Sequence, residues 1–194
     1  MMSMPAALPP DELDARLSTI RRAAMDLFAQ NGYQATSMGA IATAAGLSRP
    51  ALYQHFENRE AIFRSALGEI LTDANEAALT ALAEPVDIVE RFDGYLQRCR
   101  GDVIGAVLGS PHGDELLEAR GLSASDVADA AHADRRTALD ATLIDLASGD
   151  RTLARRVAEL LELGSLGLKH DSPTPAMYRT RLRSLAEAAA ALID

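Results

Sequence analysis

Several function classes are excluded by what this chain has little of. Its 194 residues contain one cysteine, Cys99, so no internal disulfide can form, and no Cys/His cluster has zinc-ligand spacing. Tryptophan is absent and aromatics make up 4% of residues, too few to suggest a stacking cage for a flat polycyclic cation. No apolar run approaches the ~20 residues of a membrane span. The opening MMSMPAALPPDE lacks the basic and apolar regions of a signal peptide, so a cytoplasmic protein is expected, with no membrane partner. There is no Gly-rich phosphate loop, no G-x-S-x-G elbow and no H-E-x-x-H, and the histidines are scattered at 55, 112, 132 and 170. No enzyme, cofactor or metal is expected. Sustained alternation of β-branched residues is missing too, and with it the signal for strands.

What is present is a helix-forming composition, 48% hydrophobic and 24% charged, ordinary for a globular protein able to bury a core. The net charge of −9 leans against a nucleic-acid partner, but it is unevenly placed. Residues 11–65 balance six arginines against six acids, so the acid excess lies after residue 65. A neutral N-terminal unit can meet phosphate while an acidic body stays off the duplex.

Apolar residues recur at helical spacing throughout. Leu13, Leu17, Ile20, Ala24, Leu27 and Phe28 form one stripe, ended by Asn31-Gly32. Met38, Ile41, Ala42 and Ala45 form the next, stopped by Gly46; Ser48 and Asn58 are placed to cap the helices that follow. Later punctuation falls at Glu84-Pro85, at Gly101 and at Gly109–Gly113. Ser123 with Asp126 reads as a capping box opening a helix to about Ser148, and Thr174-Pro175 starts the last helix. The expectation is an all-α chain of nine or ten helices. It divides into an N-terminal arm at 1–12, a three-helix unit at 13–57 and a larger helical body at 58–194.

Residues 36–56, TSMGAIATAAGLSRPALYQHF, carry two short helices joined by Ala-Gly-Leu, as a helix-turn-helix requires. Met38, Ile41, Leu47, Leu52 and Phe56 turn inward, leaving Ser48, Arg49, Pro50, Tyr53, Gln54 and His55 outside. Short polar and basic residues opening a second helix can reach base edges in the major groove. Spacing alone also fits an ordinary helical hairpin with solvated polar residues.

The run from Arg21 to Phe63, R-x-x-A-x-x-L-F-x-x-x-G-Y-x-x-T-S-M-x-x-I-A-x-A-A-G-L-S-x-x-x-L-Y-x-H-F-x-x-R-E-x-I-F, resembles the N-terminal signature of TetR-type transcriptional regulators. It covers about a quarter of the chain; the rest fits that family only in the number, length and order of its helices. The family usually has Lys where Arg59 stands, which keeps the charge. The resemblance implies a one-component regulator, usually a repressor, that binds a palindromic operator as a homodimer and is released by a small-molecule effector. Thr36 and Ser37 would then cap the second helix and meet the backbone. Ser48, Arg49, Pro50, Ala51 and Gln54 would lie on the recognition helix, and Tyr53, His55 and Arg59 would contact phosphates. The implied effector pocket draws on Leu67, Ile70 and Leu71, on Phe92, Tyr95, Leu96 and Cys99, and on Val103, Val107, His112 and Leu117. The implied dimer interface uses Leu153, Val157, Leu160, Leu161, Gly164 and Leu168 with Tyr178, Leu182, Leu185 and Ala189. A rival reading is a helical ligand-binding or interaction module that has lost DNA binding; intact Arg49, Tyr53, His55 and Arg59 argue against it.

Overall fold

Capping side chains set the helix starts in the computed structural model, which describes residues 9–193. Among the described residues are ten α-helices, one π-helical stretch and no strand. Helix α1 (Pro10–Asn31) begins on a proline with Asp11 and Glu12 in its first turn, where acids favour the helix dipole. Residues 10–12, expected in the arm, are therefore helical; residues 1–8 of that arm lie outside the described residues. The helix stops at Gly32, whose φ of 89° needs a residue without a Cβ.

Ser37 accepts from the Ala40 amide to open α2 (Met38–Ala44), and Ser48 accepts from the Ala51 amide to open α3 (Arg49–Tyr53). Asn58 does the same through the Ala61 amide for α4 (Arg59–Ala83). Asp87 caps α5 (Ile88–Leu96), which continues without a break through a π-helical stretch (Gln97–Asp102) into α6 (Val103–Gly109). Gly101, expected to end a helix, lies inside this continuous segment.

The Ser123 capping box does not form. Ser123 is the last residue of α7 (Gly113–Ser123), and α8 (Ser125–Leu146) follows a sharp break at Ala124. The reason is competition: the Asp126 carboxylate is held by both terminal nitrogens of Arg64 on α4, at 2.7 and 2.6 Å. Asp150 caps α9 (Arg151–Gly167), and Thr174 caps α10 (Pro175–Ala190).

Two apolar cores sit along α4. The first joins Ile20, Ala24 and Phe28 of α1 to Ile41, Leu52, Phe56 and Phe63, and continues through Leu67 and Leu71 to Leu116 and Ala119 of α7. Phe28, Tyr33 and Phe63 meet with ring centroids 5.1 to 5.8 Å apart in tilted and edge-on arrangements. The second gathers Leu82, Phe92, Tyr95, Leu96, Leu139, Val157, Leu161 and Tyr178 from α4, α5 and α8–α10. Since Phe63 belongs to the first core and Leu82 to the second, α4 is the beam on which head and body are built. No helix among the described residues is long and apolar enough to cross a membrane.

Candidate nucleic-acid interface and the cavity behind it

Helices α2 and α3 pack through Ile41, Ala42 and Leu52, so the opposite face of α3 is turned outward. Gly46 makes the turn between them with φ of 69°, and Ala42 closes it by accepting the Leu47 amide at 2.8 Å. Ser48, Arg49, Pro50 and Gln54 are exposed, Tyr53 is 44% exposed, and Ala51 and His55 are half-buried. The Arg49 guanidinium lies 5.7 Å from the Tyr53 ring centroid, a cation–π contact that holds both side chains on the outer surface.

Two of the expected contact residues have other partners. Thr36 is 2% exposed, and its hydroxyl donates to the Gly32 carbonyl at 2.8 Å. It locks the loop before α2, and Ser37 alone supplies the cap. Arg59 donates to the Gln34 carbonyl at 2.7 Å and to Gln34 Oε1 at 2.5 Å, and stacks 4.7 Å from the Tyr33 ring centroid. Its guanidinium braces the same loop. Gln34, unremarked in the sequence, is the hub: its amide also donates to Glu115 of α7 at 2.6 Å. Ser110 adds a second tie from body to head, donating to the Ala29 carbonyl at 2.9 Å.

A cavity of about 130 Å³ lies directly behind this head. Leu67, Leu71, Cys99, Val103, Val107 and Leu117, expected around an effector, do line it. Ile70 lines an open groove on the other side of Leu67 and Val107. Phe92, Tyr95 and Leu96 do not reach the cavity: all three are fully buried in the second core, where α5 packs against α4 and α10. His112 is also absent from it; it precedes α7 with Nδ1 3.6 Å from Glu115, beside the Gln34 loop. Residues unforeseen from sequence complete the lining, among them Arg100, Arg120, His132 and Lys169.

Behind Arg100 is a buried polar cluster. Glu162 accepts from Tyr95 Oη at 2.6 Å, from Arg100 at 3.0 Å and from Arg135 at 2.7 and 3.2 Å; Arg135 also donates to Asn75 at 3.1 Å. Burial alone would raise the Glu162 pKa, but its bonds to Arg135, aided by Tyr95 and Arg100, hold it at about 2. Burial, then the charges of Arg100, Arg135 and Arg120, push His132 down to about 4, so the imidazole is neutral at pH 7. Burial raises the Cys99 thiol to about 11, partly offset by Arg135 and Arg100, which makes it an unreactive wall residue.

The expected dimer stripe divides between two surroundings. Val157, Leu161, Tyr178, Leu182 and Ala189 are fully buried in the subunit's own second core. Leu153, Leu160, Leu168 and Leu185 are partly covered at its edge, and Gly164 lets Leu185 of the same chain approach α9 closely. The large apolar residues exposed on this pair of helices are Leu163 and Leu166 of α9 and Met177 of α10.

Residues 20–66 match the family described as bacterial regulatory proteins, tetR family. The HTH-type transcriptional repressor ComR of Escherichia coli K12 is 48% identical over 44 residues, which span 23% of this chain and 21% of ComR. The HTH-type transcriptional activator FasR of Mycolicibacterium smegmatis is 33% identical over 85 residues, 44% of this chain and 37% of FasR. The matched stretch thus spans well under half of these curated relatives. At the level of fold the likeness extends much further. The fatty acid degradation regulator FadR of Bacillus halodurans aligns over 97% of this chain and 96% of its own, with a TM-score of 0.62 and 18% identity. A TetR/AcrR-family transcriptional regulator of Thermobifida fusca aligns over 89% of this chain and 96% of its own, with a TM-score of 0.61 and 19% identity.

Proposed function

We propose, from the match of residues 20–66 to the tetR family and from the fold that the whole chain shares with solved regulators, that this is a TetR-like one-component transcriptional repressor. It binds a palindromic operator as a homodimer in the cytoplasm and releases it when a small molecule enters the cavity. The observation that carries this reading is the outer face of α3, where Arg49 stacked on Tyr53 stands beside exposed Ser48, Pro50 and Gln54. Arg49 and Gln54 have the donors to read base edges; Tyr53, His55 and Ser37 meet phosphates and fix the register. A single short recognition helix grips little DNA, so two heads one helical turn apart are needed for specific affinity. Residues 13–57 serve as the DNA-binding unit and 58–194 as the body, with α4 shared between them.

The ties from body to head supply a route for release. Val107 of α6 and Leu117 of α7 line the cavity, while Ser110, just past the end of α6, and Glu115 of α7 hold the α1 end and the Gln34 loop. A ligand that displaces α6 against α7 moves the segment from which α2 is hung, and with it the spacing of the two recognition helices.

The test is selection of bound sequences from genomic DNA, followed by gel-shift titration. The wild type is expected to recover a palindrome, and Arg49→Ala combined with Tyr53→Ala to lose affinity by about 100-fold or more, since each good base or phosphate contact contributes about 1–3 kcal/mol. Thermal unfolding of the double variant should be unchanged, both side chains being exposed. A folded wild type that recovers no preferred sequence would sink the reading and favour a binding module without DNA.

A further inference from the structure

We propose that the cavity takes a small carboxylate with an apolar tail, its anionic head against Arg100, Arg120 and Lys169. This names the ligand class of the cavity used above and rests on that reading. The cavity has two unlike ends. Phe63, Leu67, Leu71, Val103 and Leu116 form an apolar wall, whereas Arg100, Arg120 and Lys169 are cationic, and no carboxylate is among the lining residues.

Arg100 is the key to the anionic preference. It is 5% exposed, and one nitrogen donates to Glu162, but its buried Nε has no partner. An unsatisfied donor on a buried charge is costly, and an anion seated against the guanidinium offsets that cost through its charge. Nor does the protein supply enough negative charge. The one carboxylate of Glu162 faces two guanidiniums, Arg100 and Arg135, which leaves one positive charge uncompensated. Among the described residues no ion pair engages Arg120 or Lys169. The crowding is felt by the groups themselves: burial, then the charges of Arg120 and Arg100, lower the Lys169 pKa, and His132 is depressed in the same way. A monoanion relieves this repulsion and offers two oxygens to donors already in place.

Size and polarity restrict the rest of the molecule. An engineered apolar cavity of about 150 Å³ holds benzene, so about 130 Å³ accommodates a tail of about six carbons. Longer tails have a path past Leu67, Val103 and Val107, which the cavity shares with the open groove between α1, α4 and α6.

Octanoate, 1-octanol and octylamine, which share a tail and differ in head charge, are the probes. Calorimetric titration of the full chain should show octanoate binding at least about tenfold more tightly than octanol, because hydrogen bonds to a carboxylate are charge-assisted and stronger than those to a neutral hydroxyl. Octylamine should not bind. Removing Arg100 risks the buried cluster, so the variants are Arg120→Gln and Lys169→Gln, both half-buried at the rim. Together they should weaken octanoate about tenfold or more and leave octanol unchanged. Equal affinity for octanol and octanoate, no binding of any probe by the folded protein, or undiminished octanoate affinity in the double variant would each overturn the ligand class. A gel shift separates this from the regulator reading. Octanoate that binds but leaves protein on its operator counts against effector release and not against the carboxylate; release by octanol or octylamine alone does the reverse.

Discussion

His132 and Glu162 give the protein an acid limb that begins near neutrality. His132 titrates at about 4 in the folded chain against 6.5 ordinarily, so only the unfolded chain takes up its proton as pH falls below 6.5. The stabilisation from keeping this imidazole neutral is complete above pH 6.5 and is lost as pH falls through 4. Glu162, at about 2 against 4.5, adds a second loss of the same sign that begins below 4.5. Melting temperature should therefore decline from pH 7 to pH 5, well before the carboxylates respond. His132→Gln should flatten that interval while leaving the steeper fall below pH 4.5. A wild-type melting temperature that rises between pH 7 and pH 5 would show that the imidazole is not held neutral. These groups were beyond the reach of sequence for a definite reason. Arg135 and Arg136 are neighbours on one amphipathic helix, and nothing local says that Arg135 is 1% exposed while Arg136 is half-buried at the surface. The answer depends on Glu162, 27 residues further along.

Helix ends behave differently, because their chemistry is local. Ser37, Ser48, Asn58 and Thr174 cap the helices their positions suggest, each accepting an amide within three residues. The local rule fails where a distant partner competes, as Arg64 does for Asp126 and Gln34 for Arg59. It also fails where chain geometry hides a contact. Gly113 opens α7 so tightly against α6 that an added Cβ would lie 2.2 Å from the Val107 carbonyl oxygen. Gly121, on the same helix, faces nothing within 4 Å. Gly113→Ala should therefore destabilise the chain by about 1–3 kcal/mol, and Gly121→Ala should stabilise it by up to about 1 kcal/mol through helix propensity. Urea denaturation of both variants is the check; equal effects at the two sites would mean that the α6–α7 corner yields.

Across the whole molecule, the pattern of apolar stripes identified the all-helical architecture and the run from Arg21 to Phe63 the head, but the stripes could not say which of their flanks looks inward. On α9 and α10 the regular stripe is the subunit's own core, and the large apolar residues left exposed, Leu163, Leu166 and Met177, are the irregular ones beside it. Leu163 is 64% exposed, so a charge there stays in water in the isolated subunit. Leu163→Asp should convert a dimer into a monomer of 20.6 kDa by sedimentation velocity, with weakened operator binding and an unchanged helical spectrum. A dimer that survives this change uses another face. The same uncertainty of inward direction applies to Cys99, Arg100 and Gly101, three consecutive buried residues of which the first two line the cavity while Gly101 lies against Arg179 and Leu182 of α10. The π-helical stretch that carries them holds one residue more than an α-helical turn needs. Each α-helical residue advances the azimuth by about 100°. Loss of a single codon between 97 and 102 would therefore swing Val103, Ile104 and Val107 away from the cavity while leaving every one of those residues in the protein. Relatives that differ there by one residue in length would have differently lined cavities even where the side chains are the same.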